Sequence, residues 1–563
     1  SDLISLELEK RGCLLMSEPV EQPYPHCLYC KQPIIVRIAD KWVFNLNANN
    51  LRERILRTVD EVNWSPNWSK NRISDAIANR SDWRLSQRRI WGVPAPAFYC
   101  SNCNLQIDIL EGINASSNMI SKKGINRWLR AKPSDVLPDS IICERCGSSD
   151  FRWETDSLDT EFILAMSYRT ISPRKKDSSL CADICLGSDS HNEKWFQFSL
   201  IPSIAIEGSP PFKSALIHVP VVNGDGKEIF RAEDGSAIVQ EILNNFGADV
   251  LRFWVTSMNC RKHLKLSDLH IEMVSKTHRR IMNICRFLIN NLSGYDPEND
   301  RVDYKCLQAI DRWALHRLAR LVDEATKALE DFQFHCFYRL VRDFCLVDMS
   351  SLYLNIVRRR LYTFPRWSSG RRAVQTVIYE ILTSLAKLMA PVLSFTAEEI
   401  WRHIPGAAKE YPSVYLSQWP DVKQYFMDSE SESGWDRLLR IRSEIYKLLE
   451  KHRQGEGISN PSQASLILYA SSADTYDLLD KYIDDLEAIL MVSRVRLMSP
   501  DDPIPDGIWR SDSIEGLAVE VRRASGERCE RCRIYSDTVG TNEQYPTLCY
   551  RCIGILEGGT YYI

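Results

Sequence analysis

The chain has 563 residues and a formal net charge of −3, enough length for three or four domains and too little positive charge for a generally basic nucleic-acid coat. Its 26% charged and 44% hydrophobic residues are those of globular domains, with no run of about eighteen apolar residues and no signal-peptide pattern. Abundant cysteine without a secretion signal points to a reducing compartment, the cytoplasm, and to metal-bound thiolates rather than disulfides.

In chain order, residues 1–268 alternate short β-type runs with amphipathic stretches. IWGVPAPAFYC, ADICLGSD and SALIHVPVV read as strands of a parallel α/β layer. From 269 to 405 the apolar period becomes helical, as at Leu315, Leu318, Val322, Ala325 and Leu329, which predicts a helical bundle. Residues 406–434 are polar and read as a connector. A helix and a small α/β domain follow over 435–510, and a cysteine-bearing module closes the chain over 511–563.

Two C-x-x-C pairs in that module, Cys529 with Cys532 and Cys549 with Cys552, have the spacing of a four-thiolate zinc ribbon. Each pair offers two sulfurs to one tetrahedral ion. Cys100, Cys103, Cys143 and Cys146 make a second set, within a lobe at about 97–155, whose wider gap leaves the reading open on spacing alone. Two structural zinc ions are expected, because four thiolates leave no position for a reactive water. Cys27 and Cys30 form a third pair with no obvious mate, unless Cys181 and Cys185 serve.

Several long motifs resemble the isoleucyl-tRNA synthetase family of bacterial type, in one order. They are PHCLYCKQPIIVR, DWRLSQRRIWGVPAP, NNFGADVLRFWV, IDRWALHRL, VDMSSLYLNIVRRRLYT, the segment RRAVQTVIYEILTSLAKLMAPVLSFTAEEIW, and the terminal CERC and LCYRC. The resemblance implies a partial class I Rossmann-type catalytic region with a zinc lobe, a helical anticodon-binding domain, a small α/β unit and a terminal zinc module. It also strengthens the zinc reading at Cys100, and implies that Cys27 and Cys30 match a pair completed, in zinc-rich members, by the family's N-terminal half. That half, with its HIGH motif and editing insertion, has no counterpart here. The first residue is Ser1, which suggests a processed product or a fragment.

The nucleotide-facing motifs depart from the family pattern. Where the family reads K-M-S-K-S, this chain has Glu228, Ile229, Phe230, Arg231 and Ala232, so a glutamate faces where a triphosphate would sit. Where the family reads E-G-S-D-Q-H-R-G-W, it has Leu186, Gly187, Ser188, Asp189, Ser190, His191 and then, after an insertion, Trp195. Of D-V-W-F-D-S-G there remain Asp159, Thr160, Glu161 and Phe162, followed by Ile163. No use of ATP is expected.

The resemblance therefore implies three alternatives. The chain binds tRNA(Ile), already aminoacylated, and transfers the isoleucyl group to a small-molecule amine or amide-type acceptor; or it is the C-terminal half of a split or truncated ligase, working with a separate N-terminal half; or it is a non-catalytic tRNA-binding module. For the first, His191 and Asp189 are the candidate catalytic residues, and Trp83, Gly187, Ser190 and Trp195 the candidate substrate contacts. Arg279, Arg280, Arg286, Arg358, Arg359 and Arg360 are the candidate tRNA contacts. No membrane association is expected.

Overall fold

The computed structural model describes residues 2–18, 23–27, 30–35, 38, 40–87, 92–171, 181–223, 226, 228–229, 235–259, 264–455 and 458–557, with the side chains of residues 2, 170–171, 189–193, 235–236, 429–431 and 454–455 excepted. The chain divides into two compact units, one built from residues 1–63, 70–183 and 193–213, the other from 64–69, 184–192 and 214–563. No described helix is long and apolar enough to cross a membrane.

In the first unit, the strand expected over IWGVPAPAFYC shrinks to Phe98–Cys100, paired antiparallel with Phe151–Trp153. Two prolines in that run withhold ladder donors and break it up, so that upstream of Phe98 it pairs only by single bonds and a bridge, as at Pro94↔Ser157 and from the Ala95 amide to the Asp156 carbonyl (3.0 Å). The hairpin roots the lobe. Phe98, Leu137 and Phe151 pack with Cys100 and Cys143 into its small core, and Trp153 packs on Phe98 (4.4 Å) and edge-on to Trp128 (5.2 Å). Asp108 caps the helix Ile109–Lys123 by accepting from the Leu110 amide at 2.7 Å. At the lobe's base, the Glu154 carboxylate accepts from Trp42 Nε1 (3.1 Å) and Tyr99 Oη (3.0 Å). Burial opposes its charge, yet the Asp156 amide (3.0 Å) together with those two donors prevails and holds its pKa below the ordinary value.

A three-stranded sheet, most of whose residues belong to the second unit, consists of β1 (Asn63–Ser65), β2 (Ala182–Ser188) and β3 (Phe212–His218), in the order β1-β3-β2. Helix α1 (Ala248–Ser257) then leads into the bundle. The bundle comprises α2 (Asp268–Asn291), α3 (Ala309–Glu330), α4 (Phe334–Asp343), a π-helical stretch Phe344–Tyr353, α5 (Leu354–Thr363), α6 (Ser369–Met389) and α7 (Ser394–His403). Two charged residues of GADVLRFWV lock α1 onto it. Buried Asp249 accepts from the Thr396 amide (2.7 Å) and the Phe395 amide (3.3 Å), supplying acceptors to the free N–H groups that open α7. Arg252 donates to the Pro391 carbonyl (2.7 Å) and the Val392 carbonyl (2.9 Å).

The hydrophobic core runs without a break from Ile242 to Val519, so the expected boundaries at 268/269 and 405/406 do not separate cores. The polar stretch 406–434 is packed rather than a free connector: Val414 and Phe426 are each 3% exposed, and the Tyr411 carbonyl accepts from Trp401 Nε1 at 2.9 Å. Its few apolar residues do the anchoring, which average polarity conceals.

After the helix α8 (Ser429–Gly455), strands β4 (Ala464–Ala470), β5 (Arg494–Leu497), β6 (Trp509–Arg510) and β7 (Leu517–Arg523) form one sheet in the order β5-β4-β7-β6. The full-length antiparallel register from Ala464↔Arg523 to Ala470↔Leu517 carries this sheet past the expected boundary at 510.

The bundle's most deeply buried charge is Asp311, fully inaccessible, which accepts both Nη atoms of Arg360 (2.7 and 2.8 Å) and the Tyr353 hydroxyl (2.9 Å). Desolvation opposes the Arg360 charge, yet Asp311 holds its pKa above the ordinary value. Replacing Arg360 with Met leaves an unpaired buried carboxylate and should cost about 3–5 kcal/mol in denaturant unfolding; adding Asp311→Leu should restore most of that.

Candidate RNA-binding surface and metal centres

Three of the four pairs in the two sets share one backbone device, whereas Cys549 precedes the helix Tyr550–Leu556 and donates its amide to Cys529 Sγ at 3.4 Å. In each of the three, the first cysteine's carbonyl accepts from the amide four residues on, and its own amide donates to the carbonyl five residues on. At Cys100 these bonds involve Asn104 (3.0 Å) and Leu105 (2.8 Å), and at Cys143 they involve Gly147 (2.7 Å) and Ser148 (2.9 Å). At Cys529 they involve Arg533 (2.9 Å) and Ile534 (2.8 Å). The residue four on adopts positive φ each time: 65° at Asn104, 68° at Gly147 and 66° at Arg533. Only glycine takes that conformation freely, so the turn imposes strain at Arg533 that the cluster must hold in place.

The turns gather their sulfurs. Cys100 Sγ lies 3.5 Å from Cys146 Sγ, Cys103 Sγ 3.4 Å from Cys143 Sγ, and Cys532 Sγ 3.7 Å from Cys549 Sγ. In both clusters all four sulfurs lie within 4.8 Å of one another. Zinc–sulfur bonds of about 2.3 Å set tetrahedral sulfur separations near 3.8 Å, so both donor sets fit the ion. Without a cation, four crowded thiols cannot all ionise. Backbone hydrogen bonding, chiefly from Cys103, holds Cys100 down to about 6. Cys146 is pushed up to about 12, against the pull of the Ser148 amide, by the hydrogen bond between its sulfur and that of Cys100. When bound, zinc supplies the positive charge that lets all four stay thiolates.

Cys27 makes the same turn, with Lys31 (2.9 Å, φ 59°) and Gln32 (2.8 Å). The two clusters found among the described residues include neither this pair nor Cys181 and Cys185.

The bundle carries the cationic candidates. Arg279, Arg280 and Arg286 are exposed along α2, and Arg358 is exposed on α5. Arg280 and Arg358 meet across a groove of about 260 Å³, with Asn283, Phe287, Ser350 and Asn355 on its walls. The π-helical stretch forms one side, with Asn355 Nδ2 donating to the Ser350 carbonyl at 3.0 Å. Guanidinium groups beside carboxamides and a ring suit a nucleic-acid backbone and its base edges.

Two candidates do not join this surface. Arg360 is turned into the core on Asp311, so it cannot reach a phosphate. Arg359 is half-buried beside the terminal module, where burial and neighbouring Arg551 hold its pKa down to about 10, while Cys532 and Cys552 act in its favour. In the sequence the three arginines look alike; helical rotation separates them.

The remaining candidates lie in the region of degraded motifs. Trp83 is 3% exposed, stacked on Phe198 (4.4 Å) and edge-on to Phe162 (5.7 Å). Gly187 is buried on β2, and Trp195 is half-buried on the helix Asp189–Glu207. Asp189, Ser190 and His191 open that helix, with side chains outside those described. Of the altered lysine loop, Phe230, Arg231 and Ala232 lie outside the described residues. Glu228 bridges to Val222, and Ile229 is 5% exposed, so this end of the loop is fastened down.

Three family models match in chain order: tRNA synthetases class I (I, L, M and V) over residues 9–267, the anticodon-binding domain of tRNA ligase over 311–468, and the zinc finger found in FPG and IleRS over 526–553. An isoleucine–tRNA ligase of Moorella thermoacetica is 38% identical over 98% of this chain and 59% of its own length. Over nearly its whole length the chain is similar to the isoleucyl-tRNA synthetase family. A second relative, the isoleucine–tRNA ligase of Caldanaerobacter subterraneus, is 39% identical over 99% of this chain and 59% of its own length. The chain thus spans about three-fifths of the length of the curated relatives it matches. Among solved structures, the LeuRS of Agrobacterium radiobacter K84 with tRNA and LeuAMS gives a TM-score of 0.45 at 18% identity, covering 62% of this chain and 43% of that one, a likeness too loose to add to the assignment.

Purified protein should hold two equivalents of zinc by metal analysis. Cys549→Ser should lose one equivalent and expose the backbone of residues 526–557 to hydrogen exchange, and Cys100→Ser should lose the other.

Proposed function

We propose that this chain binds tRNA(Ile) in its aminoacylated form and passes the isoleucyl group to a small-molecule amine without using ATP. The observation that carries the reading is Glu228. In the sequence a carboxylate takes the place where the family presents a lysine to the triphosphate, and the backbone at Glu228 is bridged to Val222. A carboxylate at that place repels phosphate, whereas the RNA-facing groove keeps Arg280 and Arg358. Adenylation is thus disfavoured while tRNA recognition is retained.

Transfer needs no phosphate chemistry, because the aminoacyl ester is already activated. The acceptor nitrogen attacks the isoleucyl carbonyl, a C–N bond forms, and the C–O bond to the terminal ribose breaks. The nitrogen's proton leaves to a base and the ribose oxygen gains one. His191, beside Asp189, is the candidate base, and Gly187, Ser190 and Trp195 the candidate lining for the terminal adenosine. Trp83, in its aromatic cluster, would bound the isoleucyl side chain.

A second reading is favoured by the three-fifths span of the relatives: the chain works as part of a ligase whose nucleotide-binding region is supplied by other residues. The two diverge in one assay. With purified protein, charged tRNA(Ile) and an amine, isoleucine should leave the tRNA without ATP, and isoleucine-dependent pyrophosphate exchange should be absent. Robust exchange by this chain alone would exclude the transferase reading. For the tRNA contact, Arg280→Gln with Arg358→Gln should flatten the slope of log affinity against log salt by about 2, with little effect on unfolding.

A further inference from the structure

A cavity in the second unit belongs neither to the bundle groove nor to the degraded motifs. It measures about 550 Å³ and lies between the ends of the β5-β4-β7 strands and the terminal zinc module. That volume falls in the range of small-molecule sites, roughly 300–1,000 Å³. Four arginines line it, Arg494, Arg522, Arg523 and Arg551, against only two carboxylates, Glu487 and Asp537.

Their availability differs. Arg522 is engaged by Glu520 at 2.5 Å. Arg494 lies 3.8 Å from Asp537 with both side chains mostly exposed, a pair that water weakens and a phosphate can replace. Arg523 and Arg551 have no carboxylate partner among the described residues. Two rings, Tyr535 and the 63%-exposed Tyr550, also line the cleft. The opening is held by the fold itself: the Ser493 hydroxyl donates to the Ser462 carbonyl and accepts from the Tyr535 amide at 3.0 Å, tying the module to the sheet at the cleft's floor.

We infer that this cleft is a nucleotide site, with the phosphate on Arg494, Arg523 and Arg551 and the base against Tyr550 and Tyr535. Cationic side chains interleaved with exposed rings are the chemistry that grips a single nucleotide, because every base presents a π face and every nucleotide an anion. The same chemistry is offered by a free mononucleotide and by an unpaired nucleotide of RNA. The inference deepens the RNA-binding reading, and only its RNA arm rests on that reading.

The test uses the full zinc-loaded chain with three probes: adenosine monophosphate, a single-stranded octaribonucleotide and inorganic phosphate. Adenosine monophosphate and the oligonucleotide should bind, and Arg494→Glu with Arg523→Glu should weaken both at least tenfold. Tyr550→Ala should weaken them about fivefold or more while leaving inorganic phosphate unchanged. Arg280→Gln on the bundle should leave adenosine monophosphate binding intact, which separates failure of this site from failure of the tRNA groove. Displacement of adenosine monophosphate by tRNA would identify the RNA source, and persistence of both would identify the free nucleotide. Unchanged affinity in the double variant, or inorganic phosphate competing as well as the nucleotide, would overturn the inference. Should the double variant lose zinc or melt early, two other measurements decide the matter. Arg523→Gln should still weaken adenosine monophosphate, and adding that nucleotide should protect the 535–538 amides from hydrogen exchange; failure of both would overturn the inference equally.

Discussion

One buried ion pair sets the rotation of the helix on which the recognition surface depends. Arg358, Arg359 and Arg360 are consecutive, and each step along an α-helix turns the side chain by about 100°. With Arg360 pinned in the core on fully buried Asp311, Arg358 must face the groove across from Arg280 and Arg359 must face the terminal module. A rotated helix would strand a carboxylate in the core and withdraw a guanidinium from the groove at once. Buried charge here fixes orientation rather than adding net stability, since a pair of this kind is often no better than apolar residues of equal volume.

The terminal module is joined to this helix by a separate route. Arg531 donates to the Thr363 carbonyl at 2.7 Å, at the end of α5, and Arg359 packs beside the thiols of Cys532 and Cys552. Zinc loading would place a tetrathiolate of net negative charge next to that guanidinium, so the metal and the helix stabilise one another. Gly526 at the module's entrance has φ 78°, and a Cβ there would lie 2.3 Å from the Ser536 backbone, which leaves the residue type no latitude.

In the altered lysine loop a glutamate, Glu228, stands where the family sequence has a lysine. The three-stranded sheet and the clamp at Asp249 and Arg252 form the framework leading to the bundle, so the change of charge is set on an ordered scaffold. Function in such a scaffold resides in a few side chains and not in the fold.

Much of this was legible in the sequence because local spacing decides it. The close spacing of its two C-x-x-C pairs let the terminal four-cysteine cluster be read directly, while the wider gap in the Cys100 set left that cluster open on spacing alone, and helical periodicity marked the bundle. What spacing could not convey was direction and long-range company. Nothing in RRR distinguishes the arginine that faces solvent from the one sealed on Asp311, some fifty positions earlier in the chain. The polar stretch 406–434 hid Val414 and Phe426, whose burial is decided by the bundle surface they meet. The cleft arginines Arg494, Arg523 and Arg551 are scattered in sequence, carry no motif, and converge only because the β4–β7 register brings one strand end against the zinc module. Sequence determined the turns and the periods; tertiary packing, by choosing which face of each element is desolvated, determined which charges remain available to a ligand.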